Sequence, residues 1–480
     1  MWSLVSFGFV LLLLSCSHIF VVSVIFEVNS LVDNNQTTGT KCESGTNIGT
    51  SSSCNLRSAW WSCKNLLFSC ELCTIILTSY ATIDFNTSLA ALYLAYGDNI
   101  QIKGGTESKI SVNSYYNNTS LPRFIHYERN LSSILTNCST TSLIITDIIL
   151  SNFGNEYDNG GAIHFNGQSS MHLNRVSFVN NRGRYGGAVY INYTTDSVYI
   201  NNCSFINNTA SSGGGAIAII TNNIAYEGGG VYINNNNTAV SIHNTVVQHC
   251  HAYYSGGGIL LVSNNPEFAL VFSTITYCIS GSTGGGVALK ESNYYAQIVN
   301  CSIVYCSSTM QGGGIYLDSD NSHAIIQGTA ITYCETTQDG GGLALQLRKY
   351  NILVVNTTIS QCIAQERGGG LLLEEENFYM TWLDSTVEYC NATYGGGMFL
   401  SHGNNNVTIQ DSVVQYNYAI YGGGIVLDKN NHYFTLYKST VRGCEAALDG
   451  GGIVGKDFNN YIQLSHSSII DCYAASTGGG

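Results

Sequence analysis

The chain has 480 residues, of which only 10% are charged, and its formal net charge is −13. An acidic chain with few Lys and Arg lacks the clustered cations that bind phosphate, so the composition argues against nucleic acid as a partner and disfavours anionic membrane surfaces. Sparse charge also removes most of the side chains from which catalytic sites are built. Glycine is abundant, with 52 residues, whereas proline occurs only twice.

The first predicted element is an apolar segment within residues 1–30, running almost unbroken from Leu4 to Val28. Such a run is typical of a secretory signal sequence, with cleavage expected just before His18 or near Ser30. It is also long enough for an uncleaved membrane anchor, which needs about 20 apolar residues. We therefore expect a secreted or cell-surface protein that contacts a membrane only through this segment.

Residues 31–100 predict a small N-terminal cap. Its cysteines are Cys42, Cys54, Cys63, Cys70 and Cys73. In a secreted chain such cysteines favour disulfides over a zinc site, because the C-x-x-C pair here has no second pair to complete it. Ser88 to Tyr96 has a helix-like apolar spacing, and Asp98 to Gly105 predicts the first strand. A short helix over the first coil would cover the open end of a stack.

Asn-x-Ser/Thr triplets, the acceptor sequence for N-linked glycans, recur along the chain. The candidate sites are Asn86, Asn130, Asn192, Asn202, Asn300, Asn356, Asn391 and Asn406. Together with 17 cysteines they favour an extracellular location. Asn202, Asn300 and Asn356 share one repeat position, which would align their glycans along a single face.

From residue 101 to residue 480 the sequence predicts an all-β solenoid. Glycine triplets recur every 27 or 28 residues in its second half. The third glycines are Gly230, Gly258, Gly286, Gly314, Gly342, Gly370, Gly397, Gly424, Gly452 and Gly480. A unit this short cannot bury its own core and must stack on its neighbours. Its apolar runs are too short for helices and are bounded by turn residues, which predicts about three strands per coil.

Three further columns run along the predicted stack. Aliphatic residues from Val247 to Ile469 are expected inside, and Ser or Thr two residues earlier is expected to form an inward hydroxyl ladder. The third column is Cys250, Cys278, Cys306, Cys334, Cys362, Cys390, Cys444 and Cys472, interrupted by Asn417. Its thiols either form a buried stack or bridge adjacent coils about 4.8 Å apart. Each bridge would close a 28-residue loop and contribute about 3.5 kcal/mol.

The earliest corners read Gly-Gly-Ala followed by an aliphatic residue, at Gly160–Ile163, Gly186–Val189 and Gly214–Ile217, and F-x-x-N follows at Phe178–Asn181 and Phe205–Asn208. This pairing resembles the repeats of chlamydial polymorphic outer-membrane proteins and of β-helix proteins with pectin-lyase-like folds. The resemblance implies a right-handed parallel β-helix and, for those surface proteins, adhesion.

The sequence departs from that pattern after Gly228, where the alanine of the corner becomes glycine and the asparagine becomes cysteine. The unit from Gly215 to Gly230 has about half the usual length, so residues 216–227 are expected to bulge out or to mark a lost segment. Because the chain stops at a corner, on Gly480, we expect it to be incomplete at this end.

We find no pair of carboxylates and no cluster of Arg and Lys that recurs across adjacent coils, so the sequence predicts no catalytic, cofactor-binding or metal site. Asp318 and Asp320, and the run from Glu374 to Glu376, are attributed to solvated turns. The chain is therefore not expected to be an enzyme.

One tyrosine per coil is expected on the surface, where it would stack against sugars or partner proteins unless the rings stack only on one another. This column is Tyr277, Tyr305, Tyr333, Tyr389 and Tyr416. The expected function is adhesion or an extracellular scaffold that binds glycans, cell-surface proteins or matrix proteins. The alternative is a polysaccharide lyase or hydrolase.

Overall fold

A computed structural model describes residues 24–28, 72–77, 82–85, 92–94, 99–103, 109–112, 125–128, 141–154, 157, 160–166, 169–192, 198–206, 208–213, 217–220, 228–233 and 240–479. Most of the predicted signal segment and cap, with Asn86 and Asn130, lies outside these residues. Within them every regular element is a strand. No helix of this part of the chain is long and apolar enough to cross a membrane.

The chain forms a right-handed parallel β-helix, as the sequence predicts. Its strands pair in parallel with their equivalents one coil away, in three long sheets and one short pair. The register joins equivalent repeat positions, such as Ile303 with Ile331. The repeat length read from the glycine triplets is therefore the length of one turn of the solenoid.

Sheet 1 has 27 strands and receives two short strands from each regular coil. Its earlier strands are Val24–Val28, Leu72–Leu77, Thr82–Phe85, Asn99–Lys103, Lys109–Val112, Thr141–Ser151, Ser169–Val179, Val198–Asn201, Ser204–Ile206, Ser241–His243, Val246–Gln248, Ala269–Val271 and Thr274–Thr276. Its later strands are Gln297–Val299, Ser302–Val304, Ile325–Gln327, Ala330–Thr332, Leu353–Val355, Thr358–Ser360, Thr381–Leu383, Thr386–Glu388, Thr408–Gln410, Val413–Gln415, Thr435–Tyr437, Thr440–Arg442, Gln463–Ser465 and Ser468–Ile470.

Sheet 2 has 14 strands, and in each regular coil its strand follows the glycine triplet directly. Its strands are Leu92–Leu94, Ile125–Glu128, Ile163–Asn166, Val189–Asn192, Ile217–Ile220, Val231–Ile233, Ile259–Leu261, Val287–Leu289, Ile315–Leu317, Leu343–Leu345, Leu371–Glu375, Met398–His402, Ile425–Lys429 and Ile453–Gly455.

Sheet 3 has nine strands, and a separate pair precedes it. The strands of sheet 3 are His251–Ala252, Ile279–Ser280, Ser307–Ser308, Glu335–Thr336, Ile363–Ala364, Asn391–Tyr394, Tyr418–Tyr421, Glu445–Ala446 and Tyr473–Ala474, and the pair is Arg182–Tyr185 with Thr209–Gly213. A regular coil thus has four strands, not the three predicted. The sequence prediction missed a corner inside the sheet 1 segment, where residues such as Asn300 take φ 51°.

Each of these corners combines a left-handed residue with an inward polar side chain. Inside the sheet 1 segment Asp384 (φ 47°) precedes buried Ser385, and at the following corner, which leads to sheet 3, Tyr305 (φ 53°) precedes buried Cys306. The inward side chain then bonds across coils, as when the backbone N–H of Ser385 donates to Ser412 Oγ at 3.0 Å. The predicted hydroxyl ladder is confirmed, and it satisfies backbone groups that the sharp turn leaves outside the strand ladder.

The aliphatic column forms the core, as predicted, and Ile275, Ile303 and Ile331 are fully buried. The third glycine of each triplet makes room for this column. A Cβ on Gly314 would lie 2.6 Å from Ile331 Cγ2 and 2.6 Å from the carbonyl oxygen of Gly342. The first glycine is needed for a different reason, because Gly340 takes φ 67°.

Two local predictions need correction. The helix expected from Ser88 to Tyr96 is replaced by the strand Leu92–Leu94, whereas the first predicted strand is confirmed as Asn99–Lys103. The half-length unit does not simply bulge out. Ile217–Ile220 occupies a place of its own in sheet 2, paired with Val189–Asn192 on one side and Val231–Ile233 on the other.

Candidate functional site

The outer face of sheet 2 forms a longitudinal surface that we call the groove. Its floor is the middle residue of each strand, which points away from the core yet is buried. The main floor residues are Leu260, Ala288, Tyr316, Ala344, Leu372, Phe399 and Val426. One wall is the residue before each glycine triplet, including Gln311, Asp339, Arg367 and Tyr394. The other is the residue after each three-residue strand core, including Asp318, Gln346, Glu374 and Lys456.

Polar contacts between the walls cover the floor. Gln346 Nε2 donates to Gln311 Oε1 across the groove. Lys456 Nζ lies 5.2 Å from the ring centre of Tyr394 on the opposite wall. These contacts explain why outward apolar residues are shielded from water.

An ion cluster of Asp339, Arg367 and Glu374 occupies the middle of the groove. The Arg367 guanidinium donates to Asp339 from Nε at 3.0 Å and from Nη2 at 2.8 Å. The same Nη2 lies 3.1 Å from Glu374 Oε1. Because one nitrogen contacts both carboxylates, the contacting oxygens are at most about 6 Å apart, a separation compatible with that of a retaining glycosidase pair.

Both carboxylates are largely buried. The Glu374 side chain is 15% exposed and that of Asp339 6%. Burial raises the pKa of Glu374, and the neighbouring charge of Arg367 only partly opposes this shift. Glu374 therefore retains its proton to a higher pH than an ordinary glutamate, while Asp339 forms a bidentate ion pair.

Tyr316 belongs to the same neighbourhood, one coil before Asp339. Burial raises the pKa of its phenol, with further contributions from the carboxylate of Asp318, to which it is hydrogen-bonded, and from Glu374. The phenol therefore remains protonated and can donate a hydrogen bond. Ala344, the small floor residue of the next coil, lies between Tyr316 and Leu372 in the sheet register.

Sequence reasoning missed this cluster. It attributed Glu374 to Glu376 to one solvated turn, yet Glu375 and Glu376 are exposed and Glu374 is not. The available signal was position relative to the glycines. Asp339 and Arg367 directly precede successive triplets, so an in-register stack places them on neighbouring coils.

The cysteine column lies in the core, as one of the two interpretations predicts, and its thiols are free in this structure. Cys306 Sγ donates to the carbonyl oxygens of Val304 at 3.5 Å and Ile275 at 3.8 Å. Burial raises the pKa of Cys334 and Cys362 well above the usual range. Bridging between coils remains a prediction.

The predicted tyrosine column is on the surface, but its rings stack on one another. Ring centres of Tyr277 and Tyr305 lie 5.1 Å apart and those of Tyr305 and Tyr333 4.8 Å apart. The faces that would stack on a sugar are therefore largely covered within the column. Of the predicted glycosylation sites, Asn202, Asn300, Asn356 and Asn391 are exposed and Asn406 is half-buried.

A shallow cavity of about 240 Å³ lies over sheet 3, between Ile279 and Ile363. Its hydroxyl groups already have backbone partners, since Thr309 Oγ1 donates to the carbonyl of Gly281 and Thr337 Oγ1 to that of Thr309. We therefore place the candidate site in the groove, where one guanidinium holds two buried carboxyl groups and the pKa of Glu374 is raised.

The fold and its corner ladders define a right-handed parallel β-helix protein. Residues 270–465 match the family model described as the right-handed β-helix region. This match is coarser than the predicted resemblance to polymorphic outer-membrane repeats. A comparison with curated proteins found no match.

Several solved structures are similar to this chain at low identity and low TM-score. The periplasmic alginate epimerase AlgG has a TM-score of 0.37 and 10% identity, over 87% of this chain and 83% of that one. The A-module of mannuronan C-5 epimerase AlgE6 from Azotobacter vinelandii has a TM-score of 0.39 and 9% identity, over 86% of this chain and 94% of that one. The catalytic unit of the GH87 alpha-1,3-glucanase from Streptomyces thermodiastaticus has a TM-score of 0.38 and 11% identity, over 88% of this chain and 66% of that one. These neighbours are enzymes, which contradicts the expectation that this chain is not one.

Proposed function

We propose that this protein is a secreted carbohydrate-active β-helix protein that holds a glycan along the groove and hydrolyses it at the Asp339, Arg367 and Glu374 cluster. The observation that carries the proposal is a pair of buried carboxyl groups held by one guanidinium, of which Glu374 has a raised pKa. Pairs of this kind separate the roles of acid and anion in glycoside hydrolysis.

In this reaction protonated Glu374 would give its proton to the glycosidic oxygen as the C–O bond breaks. The Asp339 carboxylate would stabilise or capture the positive anomeric carbon, and water would then supply the hydroxyl group of the new reducing end. Arg367 orients both carboxylates. The phenol of Tyr316, hydrogen-bonded to Asp318, and the ring of Phe399, 5.7 Å below the Arg367 guanidinium, support the cluster from the floor.

The groove favours a neutral glycan. The Asp318 carboxylate lies on the wall beside the cluster, and Arg367 is already paired with Asp339 and Glu374. With a net charge of −13 on the chain, the field opposes polyanionic substrates. We therefore expect neutral polysaccharides to be bound before polyuronates.

The test is release of reducing ends from soluble neutral glucans and xylans, with polygalacturonate and alginate as charged counterparts. Glu374→Gln should lower the rate by about 100-fold or more, the range of a lost general acid, whereas Glu375→Gln, on the exposed neighbour, should keep it. Activity should fall as pH rises through the raised pKa of Glu374, since the protonated form is the reactive one. Equal rates for both variants would contradict the assignment.

A second candidate is a binding scaffold or adhesin, as the resemblance to surface-protein repeats implies. The exposed aromatic rings support it, because the end of a stacked column and the ring edges remain accessible. Glycan-array binding that is unchanged in Glu374→Gln, with no reducing ends released from any polysaccharide, would favour this function over hydrolysis.

A further inference from the structure

A second polar ladder runs along the corner beside the groove, and we call it the asparagine ladder. Its members are Asn265, Asn293, Asn321, Lys349, Asn377, Asn404, Asn431 and Asn459. From Asn293 onward each amide oxygen accepts the backbone N–H of the ladder residue one coil earlier, as between Asn293 and Asn265 at 2.9 Å and between Asn404 and Asn377 at 3.1 Å. Several of the amide nitrogens donate to main-chain carbonyls of the groove wall, as from Asn293 to Lys290 at 2.8 Å.

Lys349 occupies one position of this ladder and is fully buried. A lysine side chain has no acceptor, so the backbone N–H of Asn321 loses the bond that its counterparts receive in neighbouring coils. The amine has a long contact of 3.5 Å from Nζ to the carbonyl of Leu347. A buried ammonium group satisfied so weakly would be costly.

The ladder position lies behind the wall that carries Asp318. In the coil before Lys349, Asn321 Nδ2 donates to the carbonyl of Lys290, 31 residues earlier, at 2.6 Å. The residue 31 positions before Lys349 is Asp318, so the lysine occupies the equivalent place behind the wall residue Asp318. The carboxylates of Asp318 and Asp320 both interact electrostatically with the amine. Lys349 therefore links the inside of this corner to the part of the groove that contacts Tyr316.

We propose that Lys349 is a positioning residue for the Asp318 side of the groove, holding that wall by charge where other coils hold theirs by an asparagine amide. Its relevance to glycan binding rests on the proposed function, but its effect on the wall does not. The consequence is a groove whose local order depends on pH.

Burial lowers the pKa of Lys349 to about 7, although Asp318 and Asp320 oppose the shift. The titratable groups on the turns around it are Asp318, Asp320 and His323 on one side, Arg348 on its own turn, and the run Glu374–Glu376 on the other. Below pH 7 the charged amine attracts Asp318, and above it the attraction disappears. Global stability should change in the opposite sense, rising from pH 7 to about 10, because unfolded lysine still binds its proton there.

The test is hydrogen exchange of the intact protein between pH 6 and pH 8.5, read on the turn 318–322 and compared at each pH with Lys349→Asn. This variant completes the ladder and should hold the turn at every pH. In wild type, protection relative to the variant should fall about tenfold as pH rises, the change that corresponds to about one pKa unit of interaction between the amine and its carboxylates. In Lys349→Met, which has neither the charge nor the amide, the backbone amides of the turn 318–322 should exchange fast at every pH.

The turn 291–295, where Asn293 keeps the ladder complete, is the internal control and should not respond. A wild-type to Lys349→Asn ratio that is constant across this pH range overturns the positioning role, as does slow exchange in Lys349→Met at pH 6. The measurement involves no glycan. A pH-dependent ratio in a protein that neither binds nor cleaves glycans would therefore remove the proposed function and leave the role of Lys349 intact.

Discussion

The coils between residues 160 and 213 and those after residue 228 build the same corner from different chemistry. In the first region Asn181 Nδ2 donates to the carbonyl of Leu150 at 3.1 Å, and its Oδ1 accepts the N–H of Phe153 at 2.9 Å. In the second, Cys306 Sγ points to the carbonyl of Ile275, the equivalent atom, at 3.8 Å. The corner thus requires a short inward side chain that can bridge coils, and a thiol fills that role with weaker bonds.

Asn417 provides a direct test of this comparison, because it is an asparagine at a corner position that is cysteine in the neighbouring coils of the second region. Its Oδ1 accepts the N–H of Cys390 at 2.8 Å and its Nδ2 donates to the carbonyl of Val387 at 3.1 Å. Asn417→Ala would leave two buried backbone groups without these bonds. We expect a loss of about 2 to 4 kcal/mol in the free energy of unfolding, measured by urea denaturation.

The matched variant is Asn417→Cys, which continues the cysteine column. It should lose no more than about 1 kcal/mol, since the thiol takes over part of the bonding. Equal losses for the alanine and cysteine variants would show that a thiol does not replace the amide at this corner.

The glycine triplets provide the next test, because the early corners tolerate alanine where the later ones have glycine. Gly314→Ala places a Cβ 2.6 Å from Ile331 Cγ2 and should cost about 1 to 3 kcal/mol. The reciprocal change, Ala188→Gly, should cost no more than about 1 kcal/mol through added backbone freedom. Thermal unfolding of the pair checks this order, and a neutral Gly314→Ala would contradict the steric explanation.

The smallest effect is expected from reductant. With free thiols in the core, as in this structure, adding dithiothreitol should leave the unfolding midpoint unchanged, and every column cysteine should alkylate once the chain is unfolded. Disulfides between coils would instead lower stability on reduction by about 3.5 kcal/mol for each bridge lost. Mass spectrometry of alkylated peptides separates the two outcomes.

The repeat period and the alternation of inward residues were sufficient to predict the fold, the core column and the hydroxyl ladder. They did not predict the residues of the candidate site. Glu374 and Glu375 are identical in sequence terms, and only the sharp turn after the strand gives one a place in the groove wall and exposes the other. Lys349 was missed for a related reason, since an isolated lysine in a turn ordinarily points to solvent.

The strand Ile217–Ile220 has a consequence for the whole rod. Sheet 2 gains a layer there, while sheet 1 pairs Val198–Asn201 directly with Ser241–His243. The stack therefore contains the protein counterpart of an edge dislocation in a crystal, with one extra spacing of about 4.8 Å on one side only. We expect the coils on either side of this wedge to tilt relative to each other, so that the axis of the early coils does not continue straight into that of the coils bearing the groove.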